Sequence, residues 1–302
     1  MRYYTNVQMV GNDFLVRGYE NGKAFTSRDH FQPTLFVPSR KKTKYTTLDG
    51  KYVGAIQPGT VRDCREFIRK HENVEKFPIF GNRRYIYQYI SDRYPDQIDF
   101  DLSNMNLVTI DIEVKSENGF PSVEKCDEEL LLISLLSFST KDIITFGVGP
   151  FTNTDPKVKY VQCVDEYDLL QKFLAHWHSN IPEIVTGWNC QLYDIPYLAK
   201  RITRILGEKP CKTLSPWGLV TNEEIFLQGR PHLVYDIGGV TVLDYLDLYK
   251  KFTYKAQESY RLDYIAKVEL GQQKLDHSEF DTFKDFYTNG WQKFIEYNII
   301  DV

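Results

Sequence analysis

Leu107-Val108-Thr109-Ile110-Asp111-Ile112-Glu113-Val114 is the stretch on which the fold of this 302-residue chain turns. Apart from Thr109 and two acids it is Leu, Val and Ile, the composition of a strand covered on both faces. Residues two apart in a strand point the same way, so Asp111 and Glu113 project together from one side of it. Two buried carboxylates without partners are costly, and something must neutralise them. Lys or Arg side chains would do so, and so would divalent cations held by oxygen ligands. The pair alone leaves both open.

Outward from this strand the pattern is α/β. Residues 130–138 and 143–148 read as two more strands, and 160–164 as a fourth. Asp165 caps a helix through residue 179, with Leu169, Leu170, Phe173 and Leu174 at helical spacing. A short buried strand over 184–187 leads to a helix over 194–206. Residues 224–237 read as a hairpin turning at Gln228-Gly229-Arg230-Pro231. A strand over 240–243, a helix from 245 and a last helix from 291 to the end follow. This order predicts a mixed sheet flanked by helices.

The first hundred residues predict a small mixed α+β domain. Strands around Phe14-Leu15-Val16 and Thr34-Leu35-Phe36-Val37 are punctuated by turns at Asn21-Gly22 and Asp49-Gly50. Residues 62–70 have helical periodicity. Arg40-Lys41-Lys42-Thr43-Lys44 reads as a solvated loop. Arg83-Arg84-Tyr85-Ile86-Tyr87-Gln88-Tyr89-Ile90 alternates like a strand. Its interleaved Arg and Tyr suit either single-stranded nucleic acid or a half-buried strand face. The boundary falls near residue 101, giving domains 1–101 and 102–302.

The net charge of −4 sums two unlike parts: residues 1–100 carry +6 and the remainder −10. Such asymmetry is itself a reason to ask about nucleic acid. Five scattered cysteines without a C-x-x-C spacing argue for reduced thiols, against a disulfide scaffold or zinc ribbon. The longest apolar run, within 130–138, is too short for a membrane span, and the start lacks a signal-peptide core, so the expected location is the cytoplasm.

Further acids join the pair. Asp194 follows Gly187-Trp188-Asn189 and precedes Ile195-Pro196 at a helix start, where an ordinary N-cap competes with a site role. Tyr297 and Asp301 lie four apart on the last helix and share a face, where a boundary carboxylate competes with a ligand. Together these make four carboxylates and one tyrosine. That set suits two-metal phosphodiester hydrolysis, with the tyrosine hydroxyl holding the attacking water.

Asp111-Ile112-Glu113, then Gly187-Trp188-Asn189 with Tyr193-Asp194-Ile195-Pro196-Tyr197, then Tyr297-Asn298-Ile299-Ile300-Asp301 resemble the three exonuclease motifs of family B DNA polymerases. Within that family the likeness is to the replicative enzymes of large tailed bacteriophages. Gly119-Phe120-Pro121, residues 243–252 and Tyr260-Arg261-Leu262-Asp263-Tyr264-Ile265 support it. The resemblance implies a ribonuclease H-like 3′→5′ proofreading domain behind an N-terminal domain. It implies Asp111, Glu113, Asp194 and Asp301 as ligands of two divalent cations, Mg2+ or Mn2+, with Asp111 bridging them and Tyr297 positioning water. It places Asn189, Phe120 and Lys274 against the DNA: Asn189 lining the site, Phe120 packing on the frayed end, and Lys274 near the scissile phosphate. The hairpin at 228–231 matches one that helps separate primer from template.

The family's polymerase palm is not in this sequence, so the chain is expected to be a fragment, or one part of a polymerase divided over two polypeptides, with its last helix truncated at a poorly fixed Asp301. Expected partners are single-stranded or primer-template DNA, the remaining polymerase part in cis or as a separate chain, and through it a sliding clamp and single-strand-binding protein. RNA is a further expected partner, and a membrane is not. A phage-encoded chain would work in the host cytoplasm. The alternative is a non-catalytic DNA- or RNA-binding or scaffold part that needs a separate polymerase chain.

Overall fold

The computed structural model describes residues 2–117, 119–227, 229–272 and 274–302. They divide into two compact units, Met1–Asn104 and Met105–Val302. The first unit contains β1 (Arg2–Val10), β2 (Asp13–Glu20) and β3 (Lys23–His30) as one antiparallel sheet, and β4 (Leu35–Pro38), β5 (Tyr45–Thr46) and β6 (Tyr52–Ile56) as another. Helices α1 (Val61–His71) and α2 (Tyr85–Arg93) complete it. Thr60 starts α1 with a reciprocal capping box to Asp63.

The sequence expectation of a strand over 83–90 is corrected here, because α2 occupies that stretch. Tyr85 and Tyr89 are spaced by four and lie buried together with Phe14 and Phe31, whereas Tyr87, which a strand would place on their face, is 54% exposed. Tyrosines at 85, 87 and 89 satisfy a period of two, but Tyr85, Ile86, Tyr89 and Ile90 satisfy a period of 3.6 equally well. The core selects the second: Tyr89 stacks on Phe14 at 4.9 Å, and its hydroxyl donates to Asp29 at 2.5 Å. Two of the three tyrosines are therefore core residues.

The second unit is built on a six-stranded mixed sheet. Its strands are β7 (Leu107–Val114), β8 (Leu130–Ser137), β9 (Ile143–Gly147), β10 (Val158–Gln162), β11 (Ile184–Gly187) and β14 (Thr241–Asp244), in the order β10-β9-β8-β7-β11-β14. β7-β8-β9 is antiparallel, and the outer pairings are parallel. A separate hairpin pairs β12 (Val220–Leu227) with β13 (Arg230–Ile237). Gln228, where the sequence places its turn, lies outside the described residues. The helices are α3 (Glu166–Ser179), α4 (Asp194–Leu206), α5 (Glu208–Lys212), α6 (Tyr245–Phe252), α7 (Leu262–Leu270), α8 (Phe283–Asn289) and α9 (Trp291–Asp301). This is the mixed sheet flanked by helices that a ribonuclease H-like domain requires.

Alternation along β7 divides the unit into two cores. Val108, Ile110, Ile112 and Val114 join Ile133 and Leu135 of β8 in a core with α3 and α4. The opposite side of β8, through Leu132, packs with Phe286 of α8 and Phe294 and Ile295 of α9. Asp111 and Glu113 belong to this second side, directly across from Ser134 and Leu132. The sheet is thus buried on both faces, as the strand compositions predict.

The first core carries one buried ion pair. The Arg201 guanidinium on α4 grips both carboxylate oxygens of Glu166 on α3, and also donates to the Cys126 carbonyl at 3.0 Å. Glu166 in turn accepts the Leu130 backbone N–H at 3.0 Å, so one network ties two helices to the start of β8. Both side chains are under a tenth exposed. Arg201→Met should therefore cost about 3–5 kcal/mol by leaving the Glu166 charge buried alone, and Arg201→Met with Glu166→Leu should cost less. Urea denaturation of the three proteins checks this ordering.

Candidate active site

β7 delivers the first two acids by strand alternation. Asp194 arrives by a different route. β11 ends at Gly187, where a Cβ would sit 2.6 Å from the Ile110 carbonyl oxygen, so only glycine lets these strands lie this close at their end. The pairing of β11 with β7 ends at Thr186 and Thr109, and the Ile112 N–H goes to another acceptor. Asp194 supplies it: its Oδ1 accepts that N–H at 3.1 Å. The N-cap position of α4 is Tyr193, with no side-chain cap, so Asp194 is not the cap that a local reading of the helix start allows. It is 4% exposed and hydrogen-bonded to β7.

The turn between β11 and α4 is shaped by Asp244. Its carboxylate accepts the backbone N–H groups of Asn189, Gln191 and Leu246 at 2.9–3.0 Å. Asn189 adopts φ +65°, a left-handed conformation that Asn tolerates better than most residues. The Trp188 indole donates to the Tyr260 carbonyl at 3.0 Å.

α9 supplies the remaining groups. Phe294, Ile295 and Asn298 are fully buried, while Tyr297 and Asp301, one turn apart, face the carboxylates of β7. Oxygen atoms of Asp111, Glu113 and Asp301 all lie within 4.8 Å of one another. Lys274 reaches in from the segment before α8. It ion-pairs with Asp301 and donates to the Tyr297 hydroxyl at 3.0 Å. The Asp301 side chain is only 4% exposed.

The electrostatics follow from burial and crowding. Burial first, then repulsion from Asp194 and Glu113, raises the Asp111 pKa well above the usual carboxylate value. Burial, then Asp301, pushes Glu113 up to about 8. Burial pushes Asp194 up to about 7, against the relief given by the Ile112 N–H. Asp301 is raised by burial despite Lys274. Burial also works against the Lys274 ammonium, but Asp301 and Tyr297 outweigh it and hold its pKa above the usual lysine value. Burial moves Tyr297 up to about 12, so it keeps its proton.

Asp111, Glu113, Asp301, Tyr297 and Lys274 are thus brought together, with Asp194 beside Asp111. Asn189 and Phe120 stand at the rim. Phe120 is 84% exposed, its ring 5.1 Å from that of Tyr193. Asn189 lines an open groove of about 1130 Å³ with Trp188, Tyr260, Arg261, Lys274 and Tyr297. Sequence reasoning assigns nothing to three residues that shape this region. Asp244 carries its signal in a position just before a helix. His277 stacks on Phe286 at 4.9 Å and meets Tyr297 edge-on at 5.6 Å, and nothing around it in the sequence marks it. Asn298 donates to Asp111 Oδ2 at 2.6 Å; its only signal is a polar residue at a core-facing helical position.

A family model for the exonuclease domain of family B DNA polymerases matches residues 75–265. The DNA-directed DNA polymerases of Enterobacteria phage T4 and Escherichia phage RB69 are each 29% identical to this chain over 99% of its length. The DNA polymerase catalytic subunit of Alcelaphine herpesvirus 1 is 30% identical over 60% of the chain. The chain spans 36% of the length of the two phage polymerases and 18% of the herpesvirus subunit. Matching close to two thirds of the sequence, the model spans the strand that carries Asp111 and Glu113 and the helix start that carries Asp194: the chain belongs to the exonuclease-domain family of the family B DNA polymerases.

Proposed function

We propose that this chain carries a metal-dependent 3′→5′ exonuclease site that trims frayed or single-stranded DNA ends, as the proofreading portion of a DNA-directed DNA polymerase. The observation that carries this reading is the convergence of three carboxylates within 4.8 Å at a buried sheet face, with a fourth held against the strand that carries two of them. The donor set fits divalent cations: it is all oxygen, hard, and richer in negative charge than Lys274 alone can balance. Asp111, Glu113, Asp194 and Asp301 would hold them. When bound, Mg2+ or Mn2+ ions supply a lowered pKa for water and charge stabilisation at the leaving 3′ oxygen.

The chain's own groups supply the rest. Tyr297, protonated at neutral pH, can hold a water by hydrogen bond, while Lys274 fixes the position of its hydroxyl oxygen. The exposed Phe120 ring offers a face to an unstacked terminal base. The groove lined by Trp188, Asn189, Tyr260 and Arg261 has the aromatic and cationic character that a single strand needs. The names of the relatives, DNA-directed DNA polymerases, favour a primer-template as substrate and a polymerase part, in cis or in a second chain, as partner. Among the described residues no helix is long and apolar enough to cross a membrane.

Asp111→Ala or Asp301→Ala should each lower Mg2+-dependent digestion of a 5′-labelled single strand by more than about 100-fold, since loss of outer partners alone costs 10–100-fold at metal sites. Far-ultraviolet circular dichroism should be unchanged. Digestion at the wild-type rate by both variants would refute the site. DNA binding that persists in EDTA, with no product in Mg2+, would favour a binding module instead.

The raised acids also make stability depend on pH. Glu113 keeps its proton up to about pH 8 in the folded chain but releases it near its ordinary value of 4.5 when unfolded. Between those values the unfolded state binds fewer protons, so metal-free stability should fall as pH rises from about 4.5 to about 8. Asp194, moved from 3.8 to about 7, acts in the same direction. Melting curves in EDTA should decline across this window, Glu113→Gln should flatten the decline, and Mn2+ should reverse it at pH 8.

A further inference from the structure

A line of polar side chains crosses the otherwise apolar sheet beneath the site. Asp111 on β7 lies opposite Ser134 on β8, which lies opposite Thr145 on β9. Directly opposed residues share a face, so all three point toward α9. Ser134 interrupts Leu130-Leu131-Leu132-Ile133 and Leu135-Leu136, and both hydroxyl residues are completely buried. Asn298, also completely buried, sits over the row. Its Nδ2 donates to Asp111 Oδ2 at 2.6 Å, and the same side chain hydrogen-bonds the Glu113 carboxyl. Its Oδ1 accepts from the Ser134 hydroxyl at 2.5 Å, and Ser134 lies 2.6 Å from the Thr145 hydroxyl.

The direction of this chain is fixed. Because Ser134 spends its proton on Asn298, Thr145 must donate to Ser134. With its oxygen engaged by Ser134, the Asn298 amide can turn only its NH2 toward the acids. A flipped amide would set its oxygen against the Asp111 carboxylate, acceptor against acceptor. Leaving the amide loose in this interior would also strand buried polar atoms.

We propose that Asn298, locked by Ser134 and Thr145, is a positioning residue that fixes the planes of Asp111 and Glu113 and leaves their remaining oxygens available to divalent cations. The inference rests on the metal-dependent reading above. Asn298 reaches the reaction only through the two acids.

Mn2+ titration calorimetry on the whole chain, paired with digestion rates as a function of Mn2+ concentration, tests it. Asn298→Ala should weaken Mn2+ affinity about 10–100-fold, while the rate at saturating Mn2+ falls by less. Ser134→Ala, which removes the hydroxyl bonded to Asn298 and changes packing less, should weaken affinity in the same direction but less. The double variant should be no worse than Asn298→Ala, because the lock has nothing left to hold. Should Asn298→Ala fail to fold, weakened Mn2+ affinity in a folded Ser134→Ala supports the inference and unchanged affinity overturns it. A lower melting temperature with wild-type Mn2+ affinity in Asn298→Ala would make the row merely structural, and additive losses would remove the lock. Mn2+ binding indifferent to Asp111→Asn would overturn the metal reading and this inference together. Binding lost in Asp111→Asn but intact in Asn298→Ala would overturn this inference alone.

Discussion

Holding like charges together out of water is the constraint to which the second unit answers. Two unit charges about 4 Å apart repel by about 4 kcal/mol even at an effective dielectric constant near 20, and four acids share one corner here. Leu132, Phe294 and Ile295 wall the site with hydrocarbon, and relief comes from single donors, the Ile112 N–H to Asp194 and the Asn298 amide to Asp111. Lys274 balances one charge, at Asp301. The remaining cost is carried by the two cores on either side of the sheet. The acids respond by retaining protons, which is the electrostatic form of a site short of positive charge.

Three independent devices place these acids, two of them local and one a contact between a helix start and a distant strand. Strand alternation sets Asp111 and Glu113 on one face. The premature end of β11 at Gly187 leaves the Ile112 N–H for Asp194, which anchors the helix start to the strand. Helical spacing on α9 sets Asp301 one turn from Tyr297. Asp244 then holds the turn that carries Asn189 by three backbone N–H groups, so that the groove beside the acids has a fixed wall. None of these devices needs a long-range coincidence beyond correct packing of α4 and α9 on the sheet.

That division explains what was legible in the sequence. The core strands and the long helices could be read because burial on both faces leaves continuous apolar runs and helix spacing leaves a stripe. The stretch 83–90 could not, because its tyrosines fit two periods and only the surrounding aromatic core chooses between them. Asp194 illustrates an opposite ambiguity: its sequence position is that of a cap, yet its hydrogen bond goes to a strand 82 residues away. Asn298 lies between Tyr297 and Asp301, and nothing local marks its role. Its partners at 111 and 134, and Thr145 behind Ser134, meet through sheet register, which no local pattern encodes. Ser134 did leave a trace, as the lone polar break deep in an apolar strand.

The weight therefore falls on α9. Phe294, Ile295 and Asn298 face inward, and Tyr297 and Asp301 lie along the flank of that face, so one docking geometry sets a core, an amide and two site groups at once. Successive residues differ by about 100° around a helix, so a slip of one residue would turn Asn298 away from Asp111 and carry Asp301 out of reach of Glu113. The aromatic cluster of Phe283, Phe286, Tyr287 and Phe294 opposes such a slip, with ring centroids 5.3–6.3 Å apart. Its preferred edge-on contacts reward one register. Packing behind the site thereby fixes where the chemistry can occur.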